Sequence, residues 1–212
     1  MAVTLTTPNT LLGVFQPKSD AAKLTLGLVT VVLGTALLTV AAKINVPVWP
    51  VHITLQSMVV AALAAAFGAR IGVATVALYL VEGLSGLPVF STGGGFGYVM
   101  SPSFGFIVGW LPMAYLIGRA ADRGAAQRPL TMFAAMLAAD AVSFAFGFAW
   151  LLVVANLITQ GGAALPAWLA GGNLVAAAFD GAVRPFIIWD VLKMAFAALT
   201  VTGIWGVFGA KR

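Results

Sequence analysis

The sequence predicts an all-α integral membrane protein of six transmembrane helices, with both termini cytoplasmic and long outer loops closing a substrate pocket. Hydrophobic residues make up 61% of the chain and charged residues 8%, with a mean hydropathy of +1.04. A soluble domain carries roughly 25% charged and 45–50% apolar residues, so water is not the solvent this chain is built for. The apolar residues gather into runs near the ~20 residues that cross a bilayer as a helix. The basic residues fall in alternate gaps between those runs, as they do in a protein oriented by its cationic loops.

Taken in order, the runs cover residues 22–42, 53–68, 71–81 (extending towards 87), 104–118, 130–158 and 186–208. The third is short or tilted. Residues 165–179 are also apolar, but Gly161-Gly162, Pro166 and Gly171-Gly172 punctuate them, and the stretch reads as an interfacial or re-entrant segment. The domain layout that follows is a tail over 1–21, one membrane domain over 22–208 and a short tail over 209–212. The first twenty residues hold no apolar core after a basic start, so a cleaved signal peptide is not expected. Lys18, Lys23, Arg70, Arg119, Arg123, Arg128, Lys211 and Arg212 fall on one side of six spans, leaving Lys43, Arg184 and Lys193 towards the other. The positive-inside rule places the first group, and both termini, in the cytoplasm.

Several classes of function are excluded by residue usage. A net charge of +5 would suggest nucleic acid for a soluble protein, but in a membrane protein it serves orientation, and no nucleic-acid partner is expected. The absence of cysteine removes disulfides, thiolate metal sites and cysteine nucleophiles. A single histidine, His52, cannot build a His-rich metal centre, and no metal or cofactor is expected. A Ser–His hydrolase pair would need His52 deep in the bundle, whereas it follows Pro47 and Pro50 in an outer loop.

The outer loops hold unusual chemistry. Residues 45–52 carry two prolines that impose an extended path towards Thr54-Leu55-Gln56, polar groups at the mouth of the second span. Residues 83–98 are rich in glycine, which lets backbone approach a ligand or adopt positive φ. Non-helical backbone at membrane depth must be buried or line a cavity. No strand and no Gly-Lys-Ser/Thr accompany this loop, so it is not a phosphate-binding loop. Phe90, Phe96, Tyr98 and Trp49 are candidates for pocket walls, or for an aromatic belt at the interface.

Asp190 and Lys193 open the last span. An ionisable group within a span costs roughly 2.5–3.5 kcal/mol on insertion and is a functional candidate for that reason. Three residues apart on a helix, the two share a face and offer a carboxylate acceptor beside an ammonium donor. The plainer alternative is a neutralised pair at a helix end with Lys193 reaching out to the interface. Asp140, in the fifth span, is expected too far from Asp190 to share a small ligand. It reads as a neutral carboxyl buried between helices, with proton coupling as the sharper alternative. Trp150 lies higher on the same span and flanks the outer pocket, and Glu82 is placed at the interface. Small residues spaced by four (Ala61 and Ala65, Ala62 and Ala66, then Gly68 and Gly72) permit close helix contact, either internally or with another membrane subunit.

Separate stretches match one pattern. Thr54-Leu55-Gln56, the loop from Gly83 to Gly97 with Leu87-Pro88-Val89-Phe90 inside it, Pro102 and Gly105 resemble the first half of the BioY family. Phe148-Ala149-Trp150-Leu151 and Pro185-Phe186 with Asp190 and Lys193 resemble its second half, so the likeness runs over roughly residues 24–208. These are biotin-specific substrate-binding (S) components of energy-coupling-factor transporters. The resemblance implies a six-helix membrane protein that binds biotin near the outer face, with Asp190 and Lys193 contacting it. It implies Gln56 as an amide contact, apolar and aromatic walls from Phe90, Tyr98 and Trp150, and backbone contact at Gly94. It also implies partners: a membrane coupling protein and cytoplasmic ATPase subunits, since the chain has no Walker motif of its own. Three departures stand out. Glycine occupies positions 94 and 95 where the family can carry a polar side chain, segment 159–184 is longer than expected, and Thr35 and Thr39 replace the alanines of the first-helix docking pattern. The alternative function is a self-sufficient proton-coupled carrier for a small anionic solute, against which the chain lacks an evident inverted repeat.

Overall fold

The computed structural model describes residues 9–14, 17, 19–46, 51–170 and 172–208. Its helices are α1 (Leu11–Val14), α2 (Asp20–Lys43), α3 (Gln56–Phe67), α4 (Ala69–Leu84), α5 (Phe104–Asp122), α6 (Pro129–Gln160), α7 (Leu174–Ala182) and α8 (Ile187–Phe208). A two-stranded antiparallel ribbon, β1 (Asn45–Val46) and β2 (Ile53–Thr54), closes the first outer loop, with Asn45 opposite Thr54. The prolines predict only an extended path there; the strand pairing is a finding of the fold. Pro47, Trp49 and Pro50 lie outside the described residues, as do Lys18, Lys211 and Arg212.

Local chemistry sets most helix ends. The Ser19 hydroxyl accepts the Ala22 amide at 3.2 Å, with Asp20 in the first turn and Lys43 in the last complementing the helix dipole of α2. Gly68, at φ +86°, breaks α3 from α4 in a conformation that residues with a side chain rarely adopt. Pro129 opens α6, where its missing N–H costs nothing. Asn173 caps α7 by accepting the amides of Val175 and Ala176 at 2.9 and 3.3 Å. Within residues 165–179, expected as one interfacial or re-entrant stretch, the short α7 begins at Leu174, and its Ala178 and Ala182 are buried.

Asp20–Lys43, Phe104–Asp122, Pro129–Gln160 and the stretch Leu174–Phe208 are long and apolar enough to cross a membrane. Gln56–Phe67 is also apolar but shorter. The outward faces of α2 and α8 carry Leu24, Leu28, Leu33, Leu37, Ile188, Leu192, Phe196 and Leu199 exposed, a surface suited to lipid. Inside lies a continuous core of alanines and bulky residues, including Leu38, Tyr79, Met113, Ile117, Met136 and Met194. Ala61 and Ala65 are fully buried in it, so that part of the small-residue series serves internal packing.

Close approach between α5 and α6 is set by glycine. A side chain at Gly105 would run into Trp150 and one at Gly147 into the Phe106 ring. A Cβ on Gly109 would sit 2.9 Å from both Ser143 Cα and Phe146 Cβ. At one end of the bundle, the Asp122 carboxylate accepts the Ala69 amide at 3.4 Å and the Asn9 side chain donates to the Asp122 carbonyl at 2.9 Å. At the other end Lys43 Nζ donates to the Phe90 carbonyl at 2.7 Å, tying α2 to the glycine-rich loop. Gly109→Leu should force α5 off α6 and lower stability by about 1–3 kcal/mol. Thermal unfolding in detergent would register this as a fall in melting temperature, and an unchanged melting temperature would disprove the contact.

Candidate functional site

The charged pair on α8 turns inward. Asp190 is 4% exposed and Lys193 9%. Lys193 Nζ donates to Asp190 Oδ1 at 3.1 Å, and the Ser57 hydroxyl of α3 donates to the same oxygen at 2.6 Å. Lys193 also donates to Ser57 Oγ at 3.4 Å. Three groups on two helices thus form one closed polar cluster, and Lys193 does not reach for the interface. In a low-dielectric interior such a pair is tolerable only when both ions are hydrogen-bonded as well as paired. Ser57 escapes a reading of the sequence because a serine in an apolar helix is unremarkable until its partner is known. The signal available is its position in the first turn of α3, next to Gln56.

Beside this cluster lies a cavity of about 60 Å³. It is lined by His52, Thr54, Gln56, Ser57, Ser91, Tyr98 and Ser103 towards the loops, by Phe106, Ile107, Trp110 and Phe186 as apolar wall, and by Asp140, Ser143, Phe144, Asp190 and Lys193. Apolar walls with a few convergent polar groups are the usual make-up of small-molecule sites. Phe106 and Phe144 meet edge to face at 5.8 Å across one side.

Four of the residues singled out from sequence meet here: Asp190, Lys193, Gln56 and Tyr98. Gln56 opens α3 and is locked at both ends of its amide. Its Nε2 donates to Tyr79 Oη at 2.7 Å and its Oε1 accepts from Thr54 at 3.1 Å. Tyr79 in turn donates to the Val89 carbonyl at 2.7 Å, so the glycine-rich loop and the cavity wall share one hydrogen-bonded relay. Tyr98 is held by Ser91 at 3.1 Å and stacks at 4.5 Å on Phe90.

The other three stand behind the lining. Phe90 is completely buried, wedged between Tyr79 and Tyr98 and filling the space a Gly83 side chain would occupy. Gly94 lies outside the cavity because the loop folds on itself: Gly95 N donates to the Gly83 carbonyl at 2.7 Å, and a Cβ on Gly94 would strike the Leu87 carbonyl. Glycine there allows a tight fold. Trp150 spends its indole N–H on the Val99 carbonyl at 3.1 Å and packs on Phe104 at 5.7 Å, bracing the loop instead of lining the cavity. Glu82, expected at the interface, accepts from Thr35 of α2 at 3.1 Å.

Asp140 reverses an expectation. The sequence places it too far from Asp190 to share a ligand, yet both line this cavity. The error lies in treating depth along the membrane as separation. α6 and α8 run against each other, so residues from different levels of two spans face one space. His52, Ser91, Ser103 and the α5 residues likewise become site residues only where the loops and helices converge.

A bundle of membrane-crossing helices enclosing a mixed polar and apolar cavity is suited to holding a small solute. The chain belongs to the BioY family, whose model matches residues 15–210. It is 40% identical over 99 residues to "Probable biotin transporter BioY" of Lysinibacillus sphaericus, an alignment covering 47% of this chain and half the length of that relative. It is 35% identical over 159 residues to "Biotin transporter BioY" of Rhizobium etli, covering 71% of this chain and 75% of the relative. Its fold matches the crystal structure of the S-component for biotin from an ECF-type ABC transporter with a TM-score of 0.70, covering 89% of this chain and 94% of that one at 21% identity. The chain is a multi-pass protein of the cell membrane and not an enzyme.

The relay through Tyr79 gives a direct check on how loop and cavity are joined. Tyr79→Phe leaves the Gln56 amide and the Val89 carbonyl without their partner and should cost about 1–3 kcal/mol of stability. Thermal unfolding would measure it, and proteolysis should cut the 85–95 loop faster in the variant.

Proposed function

We propose that the cavity binds biotin, and that the chain is the substrate-capture subunit of an ATP-driven transporter. The observation that carries this is the Ser57–Asp190–Lys193 cluster set into an otherwise apolar cavity in a chain of the BioY family. Biotin offers ureido N–H donors, a carbonyl, an apolar bicyclic ring with its alkyl chain, and a carboxylate. Asp190 accepts from N–H groups, Lys193 donates to oxygen, and Gln56 and Tyr98 add polar contacts, while Phe106, Ile107 and Phe186 cover the ring and chain. The relatives named as biotin transporters support the choice of ligand.

In this proposal an energising module, a membrane coupling protein with cytoplasmic ATPase subunits, drives delivery of the ligand, since the chain carries no ATP-binding motif of its own. α2, α3, α4, α5, α6 and α8 serve as six spans in one membrane domain, residues 22–208, with both tails cytoplasmic. At 1.5 Å per residue α3 and α4 reach only about 18 and 24 Å, less than the ~30 Å hydrocarbon core. The ribbon and the glycine-rich loop complete the crossing and cover the cavity. Lys23, Arg70, Arg119, Arg123 and Arg128 sit at the end proposed to face the cytoplasm.

Radiolabelled biotin should bind the purified chain alone, and Asp190→Asn should weaken binding about 30-fold or more, the range for truncating a buried charged pair. Equal affinity in the variant would remove Asp190 from the site. Topology has its own test, since the chain contains no cysteine of its own. In intact cells a membrane-impermeant maleimide should label Ala163→Cys but reach Gln127→Cys only after permeabilisation. The reverse pattern would invert the proposed orientation.

A further inference from the structure

Asp140 is the acidic cavity group that the site as described leaves without a task. It is 5% exposed, and among the described residues it makes neither hydrogen bond nor ion pair, while Asp190 accepts from two donors. A buried polar group without a partner is costly, and the protein supplies none on the cavity side. Its depth follows from the helices around it. α5 descends from the loops, carrying Ser103, Phe106, Ile107 and then Trp110 along the wall, and α6 runs the opposite way. Gly109 abuts Ser143, so Asp140, one turn farther from the loops, lies at the floor near Trp110. On α8, Lys193 lies one turn deeper than Asp190.

This floor is matched to one end of the ligand. It offers two carboxyl groups and one ammonium, so an incoming carboxylate would meet an excess of acceptors, whereas an uncharged group rich in N–H would be satisfied. The mouth is less acidic, with the Ser103 hydroxyl, the hydrogen-bonded Ser91–Tyr98 hydroxyl pair and the His52 ring. We propose that Asp140 is a ligand-binding residue: its carboxyl oxygen accepts a hydrogen bond from a ureido N–H of biotin, so that the bicyclic ring enters first and the valerate carboxylate faces the mouth. Lys193 then donates to the ureido carbonyl. This inference rests on the proposed biotin site.

The test uses the purified full chain, biotin, two carbamate analogues in which one or the other ureido N–H is replaced by oxygen, and biotin amide. Asp140→Leu should lower biotin affinity about tenfold or more, and Asp140→Asn, which keeps a carbonyl oxygen, should retain most of it. One carbamate analogue should lose affinity for the unaltered protein but little further in Asp140→Leu, a non-additivity that marks direct contact. Replacing the carboxylate by the amide should cost both proteins the same factor. If both carbamate replacements cost the two proteins equally, Asp140 acts only structurally; if the non-additivity appears with the amide, the ligand lies the other way round. Either result overturns the proposal, as does biotin affinity unchanged in Asp140→Leu. Should Asp140→Leu fail to fold, Asp140→Ser, too short to reach the ligand, supplies the same comparison. Biotin binding by the unaltered protein with no effect at Asp140 defeats this inference alone, whereas no binding at all defeats the biotin site with it.

Discussion

The structure depends on the impossibility of leaving a polar group unpaired where water is absent. Asp190 and Lys193 would be ruinous on an isolated helix, and they are stable here because Ser57 of α3 joins them in a closed cluster. That requirement fixes the rotation of α8, since only one face can present both residues to α3. It also fixes which face is left for lipid: Ile188, Leu192, Phe196 and Leu199 lie outside because Asp190 and Lys193 lie inside. A single electrostatic constraint therefore orients a helix and builds one wall of the cavity.

The same constraint governs the loops. Backbone that leaves a helix near the membrane must find hydrogen-bond partners in the protein. The glycine-rich loop does so by bonding to itself and to its neighbours: Phe90 with Gly93, Gly95 with Gly83, Val89 with Tyr79 and the Phe90 carbonyl with Lys43. Its side chains are spent on the same end. Phe90 fills the hollow over Gly83, and Trp150 anchors the following turn through Val99. The loop is a hydrogen-bonded cover whose inner edge, Ser91 and Tyr98, meets the cavity. The relay from Val89 through Tyr79 ends on Gln56, so the cover and the cavity wall share one chain of hydrogen bonds.

The cavity wall formed by α5 and α6 is made differently, by subtraction. Gly105, Gly109 and Gly147 bring the helices together behind the cavity, and the bulky residues needed to shape a pocket, Phe106, Trp110 and Phe144, lie around the ligand space. A glycine-packed back wall, a hydrogen-bonded cover and a charged front wall divide the labour of enclosing the cavity.

The sequence by itself determined the class of protein, the positions of the helices and the residues that had to be accounted for. Runs of apolar residues and scattered charges report directly on solvent, because the cost of a charge in lipid is local to the residue that carries it. Asp190, Lys193 and Asp140 are therefore conspicuous in the amino-acid sequence alone, and the outer-loop chemistry adds Gln56 and Tyr98 as candidates. What the tertiary structure alone decided was company. Phe90, Gly94 and Trp150 carry the family pattern yet stand behind the lining, since a motif records which residues are required without recording whether they touch a ligand or hold what does. Ser57 becomes significant only through a carboxylate 133 positions away in the chain. Asp140 joins the cavity because antiparallel helices bring different depths of two spans to face one space. Proximity of that kind depends on how helices rotate and pack against one another, and no local property of the chain encodes it.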